Sequence, residues 1–374
     1  MKKIVKLIRI VLVAVVIFAW YQVYTALLEA HYASFPAMYD TKLNLLPVYV
    51  TLVLFLFLLP FPVAGICIRS GYRLHRMQWL FLEITKPDKL RVRLTKKFGY
   101  SARLLPPRTD GTSPYLCYLL SGYLCFAALG LLTALLAVLC WRTPAARYLN
   151  ILCPACLLVV IAWPLLPTRR NPFDTALSFR KSGDLRRAWE CNLHTLAALD
   201  DKVKLSKMPE EWFLSYPDEL KDEPLVMYAN FNRAAWLCNQ ERYAEAYEGL
   251  RYFFDLKPEP RTHHLIAMAI LNGVGCEALG EDANGHPLPP MCMSQLDHPA
   301  LKLPLPPEWE AQRLQAEYAR ALFLHHDEAE ASAILPKLEA ALDKAGRDHE
   351  GVEKLQRKAG LLAEDAAADK GGQA

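Results

Sequence analysis

Residues 45–68 read LLPVYVTLVLFLFLLPFPVAGICI, and this stretch decides the class of the protein. It contains no charged residue and no histidine, and it is longer than the about 20 apolar residues that a helix needs to cross a bilayer. With three further apolar runs, the sequence predicts about four membrane spans, at residues 10–28, 45–68, 114–140 and 148–166. No small-residue cleavage site follows the first run, which predicts an uncleaved anchor.

Charge is divided unequally along the chain. Residues 1–167 contain 18 Lys and Arg against 5 Asp and Glu, whereas residues 168–374 contain 25 against 34. Such a change predicts a domain boundary, here between a membrane domain (1–167) and a cytosolic domain (168–358) with a flexible tail (359–374). The basic charge lies beside apolar spans rather than on a soluble face, which argues against a nucleic-acid partner.

The distribution of basic residues predicts the orientation of the spans. Residues 69–113 contain eleven Lys and Arg against three acidic residues, and four more basic residues precede the first span. Arg142 and Arg147, between the last two spans, oppose this pattern weakly. By the positive-inside rule, both termini and the 69–113 loop lie in the cytosol of a protein integral to the cell membrane.

The 69–113 loop has the pattern of a small sheet. Residues 79–85 and 90–95 read as two strands around a turn at 86–89, because in the second strand apolar residues at 90, 92 and 94 alternate with Arg91, Arg93 and Thr95. The sequence predicts a half-buried β-hairpin whose basic residues contact membrane lipid or a partner: Arg91, Arg93, Lys96 and Lys97. The alternative is a basic loop that sets topology and binds nothing.

The cytosolic half shows a recurring pattern of small and large apolar residues. A small residue in each helix of a pair lets the two backbones approach each other. The spacing of these small and large residues resembles that of tetratricopeptide repeats. It therefore predicts helical hairpins that bind another protein. The first set recurs 58 residues later, and the second set recurs after a further 85 residues. The three sets are Ala176, Phe179 and Ala188; Ala234, Leu237, Ala246 and Leu250; and Ala319, Leu322, Ala331 and Leu335.

Neither the cysteines nor the histidines show the spacing of metal ligands. Cys153 and Cys156 have C-x-x-C spacing, but they begin a membrane span and are interpreted as small apolar packing residues. The pairs at 263–264 and 325–326 are adjacent histidines, whose side chains diverge by about 100° on a helix. The sequence predicts no metal and no cofactor.

The order of several short motifs resembles the site-two protease family of intramembrane zinc metallopeptidases, in its bacterial branch with a helical cytosolic region. In order along the chain, the motifs are SGYR at 70–73, a β-hairpin, GYSARLLPP at 99–107, YLCYLLSG at 115–122, NPFD at 171–174 and KMPEEWF at 207–213. The resemblance covers most of the chain.

This resemblance implies a zinc site that the sequence lacks. In the family, an H-E-x-x-H motif supplies two ligands and the general base, and a later Asn/Asp motif supplies the third ligand. The corresponding positions here are Leu59, Pro60 and Val63, with Asn171 and Asp174 as remnants of the later motif. No His occurs between residues 31 and 75, and Pro60 and Pro62 predict a distorted helix. Asp174 is interpreted as the cap of the helix through Ala176.

Together these patterns predict a mainly α fold, with a polytopic membrane helix bundle of about four spans, a small β-hairpin and a helical-hairpin repeat domain. The leading hypothesis is a membrane-anchored, catalytically inactive site-two-protease-like protein, a scaffold for another protein and not an enzyme. An active metalloprotease with atypical ligands, dependent on Asp174, is one alternative. A transporter or channel subunit is the other, although the spans contain few polar residues.

Overall fold

The computed structural model describes residues 2–35, 46–85, 91–165, 171–256, 262–302, 309–345 and 349–360. The chain forms two compact units, Met1–Ala197 and Ala198–Ala374. The predicted tail lies outside the described residues from 361 onward. The units divide later than the charge change at 167–168, because the first helices of the acidic half pack with the membrane helices.

Apolar helices dominate the first unit. Three of them are long and apolar enough to cross a membrane, and a fourth span results if the bent pair α2–α3 is counted as one. This confirms the mainly helical class, with three to four candidate spans where about four were predicted. The helices are α1 (Lys2–Ser34), α2 (Leu46–Leu58), α3 (Pro60–Arg69), α4 (Tyr115–Leu139) and α5 (Ala145–Leu165).

The second predicted span is broken into α2 and α3, which meet at 41°. Pro60 and Pro62 have no backbone N–H and cannot continue the α-helical hydrogen-bond ladder, so the distortion predicted from the sequence is confirmed. The carbonyl of Phe57, beside this bend, accepts a hydrogen bond of 2.7 Å from the Trp79 indole N–H. The bend is therefore held by a side chain from the following sheet.

A two-stranded antiparallel sheet follows α3, as predicted, but it is longer than the sequence indicated. It pairs β1 (Arg73–Thr85) with β2 (Arg91–Leu105), and the turn residues 86–90 lie outside the described part. The register shifts between Leu80 and Leu82, so that several β2 residues stand opposite Phe81. Leu80 has a φ of 56° at this bulge. The irregularity changes which β2 side chains share a face.

The membrane helices pack closely where a small residue allows it. A Cβ at Gly130 of α4 would lie 3.1 Å from the Leu157 side chain and 3.4 Å from Cys156 Cβ on α5. Glycine thus lets the two helices approach more closely than any other residue would. Cys156 is fully buried at this contact, in the packing position that the sequence predicted for it.

The first two helices of the acidic half belong to the first unit. Helix α6 (Pro172–Lys181) packs mainly against α4, and α7 (Gly183–Asp200) follows after one residue. The first of the three predicted hairpins is therefore wrong as a member of a repeat array. Its side chains bury against membrane helices and one another, since the Phe179 ring lies 5.5 Å from Tyr115 and 5.4 Å from Trp189.

In the described part of the second unit, helices are the main regular structure, and one isolated bridge joins residues 281 and 287. Single turns at 205–207, 210–212 and 218–220 lead into the helices. The helices are α8 (Pro224–Asn239), α9 (Tyr243–Phe254), α10 (His263–Leu279), α11 (Met291–Ser294), α12 (Pro299–Lys302), α13 (Glu310–Arg320), α14 (Glu328–Ala345) and α15 (Glu350–Lys358).

The core of the second unit surrounds α10, which packs against α8, α9, α13 and α15. Two antiparallel pairs, α8–α9 and α13–α14, correspond to the second and third predicted hairpins. A five-residue π-helical segment, Ala321–His325, extends α13, and His326 ends it with a left-handed φ of 54°. A helix that is apolar on nearly all sides, as α10 is, must be surrounded in this way.

Candidate functional site

A groove of about 760 Å³ lies within the second unit. The turn at 205–207 and helices α8, α10, α13 and α15 all contribute to its walls. Its polar side chains come from segments far apart in sequence, and this convergence makes it the candidate binding site.

Two asparagines on neighbouring helices face the groove in the same hydrogen-bonding state. Asn239 at the end of α8 donates its side-chain amide to the Ala235 carbonyl at 2.9 Å, and Asn272 of α10 donates to the Met268 carbonyl at 2.8 Å. No described residue donates to the Oδ1 of either side chain. Each asparagine therefore has its amide N–H group anchored on its own helix, and its acceptor oxygen remains available to a ligand.

Two glutamines of α13 add further amides to the same groove. Gln312 Oε1 is buried without a hydrogen-bond partner among the described residues. The side chain of Gln315 crosses α15 at Gly351, where an added Cβ would lie 2.6 Å from the glutamine Nε2. Because a buried polar atom without a partner costs free energy, this groove is better suited to a hydrogen-bonding ligand than to an apolar one.

The charged side chains of the groove are mostly basic. Lys204, Lys207 and Lys354 line it against one acid, Glu350. Lys354 Nζ lies 2.7 Å from Glu241 and 3.1 Å from Glu350, and the hydrogen bond that the lysine donates to Glu241 is the main reason that its pKa is raised. Lys207 forms no ion pair with a described residue. An unneutralised positive charge therefore remains at one side of the groove.

Two thiols from different helices meet at the groove. Cys238 Sγ of α8 lies 3.0 Å from Cys276 Sγ of α10, and both residues line the groove. The hydrogen bond between them and burial raise the pKa of Cys276, so its thiol stays protonated at neutral pH. The spacing of the cysteines along the sequence does not predict this contact, because Cys238 and Cys276 are 38 residues apart. Only the packing of α8 against α10 brings them together.

One of the predicted hairpin side chains, Arg93, contacts a buried carboxylate. Glu83 is almost fully buried and contacts Arg76 at 2.9 Å and Arg93 at 2.8 Å. Arg91 and Lys96 are exposed on β2, whereas the side chain of Lys97 lies outside the described part. Arg93 is therefore partly occupied by an internal ion pair, and it is not wholly available to a phosphate.

The apolar face of the hairpin is not half-buried, contrary to the alternation in the sequence. Phe81, Val92, Leu94 and Phe98 are each more than half exposed, and residue 90 lies outside the described part. The Phe81 and Phe98 rings meet at 5.8 Å across the register shift. No described element covers this face, so the reason for the difference is that the hairpin lacks a protein layer on that side.

The positions that correspond to a zinc motif hold packing residues at the α2–α3 bend. Leu59 precedes α3, Pro60 is its buried first residue, and Val63 is half-buried one turn later. None of these side chains has a donor atom for zinc. Asn171, not Asp174, caps α6, since its Oδ1 accepts the Phe173 N–H at 2.9 Å. The cap assigned to Asp174 was wrong because the helix begins earlier than expected, and Asp174 lies in its first turn.

No group of three or more His, Cys, Asp and Glu side chains that could hold a metal ion occurs among the described residues. The adjacent histidines of α10 have ring centroids 3.6 Å apart, and His264 also meets the Trp309 ring. His325 contacts Glu330 at 2.9 Å.

The residues of the recurring pattern are buried in the two units. Ten of the eleven are buried, and Leu335 is the half-buried exception, because Leu338 of α14 takes the fully buried place. The first unit contains Ala176, Phe179 and Ala188, and the second unit contains Ala234, Leu237, Ala246, Leu250, Ala319, Leu322, Ala331 and Leu335.

Sequence reasoning missed the groove amides entirely. One signal was present, because Asn272 is the single asparagine in the strongly apolar sequence of α10. A polar residue in a helix with no polar face indicates a local opening to solvent or to a ligand. Gln312 and Gln315 gave no such signal, since they occur in a helix rich in polar residues.

Scans against protein-family models, curated proteins and solved structures found no match to this chain. The likeness to site-two proteases therefore rests on the short sequence motifs alone.

Proposed function

We propose that this protein is a membrane-anchored, catalytically inactive scaffold that holds a partner protein at the cytosolic face of the membrane. The groove of the second unit is the observation that supports it. Its amide oxygens at Asn239, Asn272 and Gln312 have no partner among the described residues, and Lys207 has no counter-ion there. Polar groups left in this state favour a site that is completed by another molecule.

The apolar spans of the first unit supply the anchor, and its basic loop supplies the orientation. The excess of Lys and Arg in residues 69–113 favours a cytosolic position for this loop and for both termini. The exposed apolar side chains of the hairpin beside Arg91 and Lys96 favour contact with lipid at the same surface. In this proposal the site-two-protease-like part serves as a membrane platform, since Leu59, Pro60 and Val63 cannot bind zinc.

Site-specific photo-cross-linking in cells tests the proposal. A photoreactive residue at Gln315 lies in the groove, and one at Glu339 lies on an exposed position of α14 that does not line it. We expect a cross-linked partner band at position 315 only, and we expect the Asn272→Ala change to weaken it. Equal bands at both positions, or none at position 315, would contradict a scaffold that uses this groove.

A further inference from the structure

The sign of charge reverses locally in the second unit. Residues 198–374 contain 19 Lys and Arg against 31 Asp and Glu, yet three lysines and one glutamate line the groove. Elsewhere in this unit, several exposed arginines are paired with nearby acids, as Arg242 is with Glu245 and Arg251 with Glu248. A groove with a net excess of lysines in an acidic unit is complementary to an anionic ligand.

The basic side chains that line the groove indicate which kind of anion fits it. No arginine lines the groove among the residues that the structure describes, and two of the three lysines share Glu350. A phosphate monoester carries nearly two negative charges and a polyphosphate carries more, whereas a carboxylate carries one, which a single lysine can balance. Lys207, the cation without a described ion pair, therefore fits a carboxylate better than a polyphosphate or a nucleic-acid backbone.

The amides identify what carries the carboxylate. Asn239, Asn272, Gln312 and Gln315 lie on three helices that border one groove. A peptide backbone offers an N–H donor and a carbonyl acceptor at each residue. A carboxamide side chain has both a donor and an acceptor as well, so the four carboxamides of the groove can pair with a peptide backbone. A small carboxylic acid would leave most of these four carboxamides without a hydrogen-bond partner.

We infer that the groove binds an extended, acidic segment of a partner protein. An Asp or Glu carboxylate of the segment lies against Lys207, and backbone N–H groups donate to the Oδ1 atoms of Asn239 and Asn272. This inference rests on the proposed function, because it names the partner chemistry of the same groove.

Two peptide libraries measure directly whether the groove prefers acidic peptides to neutral ones. Fluorescent peptides of about ten residues, which span about 33 Å when extended, carry Asp and Glu in one library and Asn and Gln at the same positions in the other. Binding to the full chain in lipid nanodiscs is followed by fluorescence polarisation. We expect the acidic library to bind at least about tenfold more tightly, a difference of about 1.4 kcal/mol.

Variants place the binding in the groove. Lys207→Glu should abolish the preference for acidic peptides, and Asn272→Ala should weaken both libraries because it removes a backbone contact. Lys337→Glu is the matched control, since Lys337 is an exposed lysine of α14 that does not line the groove. Both variants keep the basic first unit unchanged, so any attraction of acidic peptides to that unit is the same in the two measurements. Thermal unfolding of each variant confirms that it is folded.

Several outcomes would overturn the inference. Equal affinity for the two libraries, or equal loss in Lys207→Glu and Lys337→Glu, would show that the groove does not select carboxylates. Competition by inorganic phosphate or by a nucleotide at lower concentrations than the acidic peptides would assign the lysines to a phosphate ligand. Self-association of the chain that Lys207→Glu abolishes would make a second copy the occupant.

Failure of this inference is distinguishable from failure of the proposed function. A groove-specific cross-link at position 315 without any preference for acidic peptides keeps the scaffold and rejects the acidic segment. The absence of both signals rejects both.

Discussion

The carboxylate of Glu190 lies at hydrogen-bonding distance from the backbone of Ser113. Its Oε1 accepts the Ser113 N–H at 2.9 Å, and its Oε2 accepts the Gly111 N–H at 2.6 Å. Glu190 is fully buried in the middle of α7, and the residues that it binds immediately precede α4. One carboxylate thus ties the acidic half of the chain to the entrance of a membrane helix.

Removing this carboxylate should loosen the loop before α4. In Glu190→Ala, the N–H groups of Gly111 and Ser113 lose a charged acceptor in a buried place, and we expect a cost of about 1.5–3 kcal/mol. Amide hydrogen exchange in detergent should become faster at these two residues. Asp184→Asn is the control, because Asp184 is an exposed acid of the same helix. Unchanged exchange in Glu190→Ala would show that the two hydrogen bonds do not hold the loop.

Gly111 should not accept a side chain. Its φ is +84°, and an added Cβ would lie 2.9 Å from the Gly183 carbonyl oxygen, so Gly111→Ala combines backbone strain with a backbone clash. We expect a lower melting temperature for Gly111→Ala. Gly122→Ala is the matched control, since nothing lies within 4 Å of its added Cβ. Equal melting temperatures of the two variants would contradict this packing.

The contact between α7 and the loop at Pro106 should weaken in acid. His194 Nε2 lies 3.1 Å from the Pro106 carbonyl, and burial lowers the pKa of this histidine while the hydrogen bond opposes part of that effect. His194 therefore stays neutral to a lower pH in the folded protein than in the unfolded chain, where the pKa of a histidine is about 6.5. Its contribution to stability is present above about pH 6.5 and is lost as the pH falls.

Thermal unfolding between pH 7.5 and 5.5 measures this loss. His194→Gln should show a shallower dependence on pH than the unchanged protein, because glutamine does not titrate. The same slope in both proteins would assign the pH dependence to other groups.

The thiols of Cys238 and Cys276 should form a disulfide when a chemical oxidant is added. They lie 3.0 Å apart, and diamide can accept the two electrons and two protons that are released. We expect the oxidised protein to lose two maleimide-reactive thiols after denaturation, and Cys238→Ser to lose none from this pair. In cells the pair should be reduced, as the proposed cytosolic location requires. A disulfide found in freshly isolated membranes would place the second unit on the opposite side.

The sequence by itself determined the local features of this protein. The apolar runs predicted the spans, because a helix satisfies its own backbone hydrogen bonds and needs only apolar side chains to enter lipid. Pro60 and Pro62 predicted the α2–α3 bend, since the missing N–H groups act within one helix. The strand pattern of residues 79–95 predicted the hairpin, although it underestimated the length of both strands.

Only the tertiary structure decided how distant segments combine. Residues 171–197 were assigned by charge to the acidic domain, but they belong to the first unit, in which Phe179 and Glu190 are buried. The groove requires polar residues from α8, α10 and α13 to meet, and no spacing along the chain encodes that meeting. Composition acts through single segments, whereas a binding site depends on which faces of several helices are left uncovered once the core has packed.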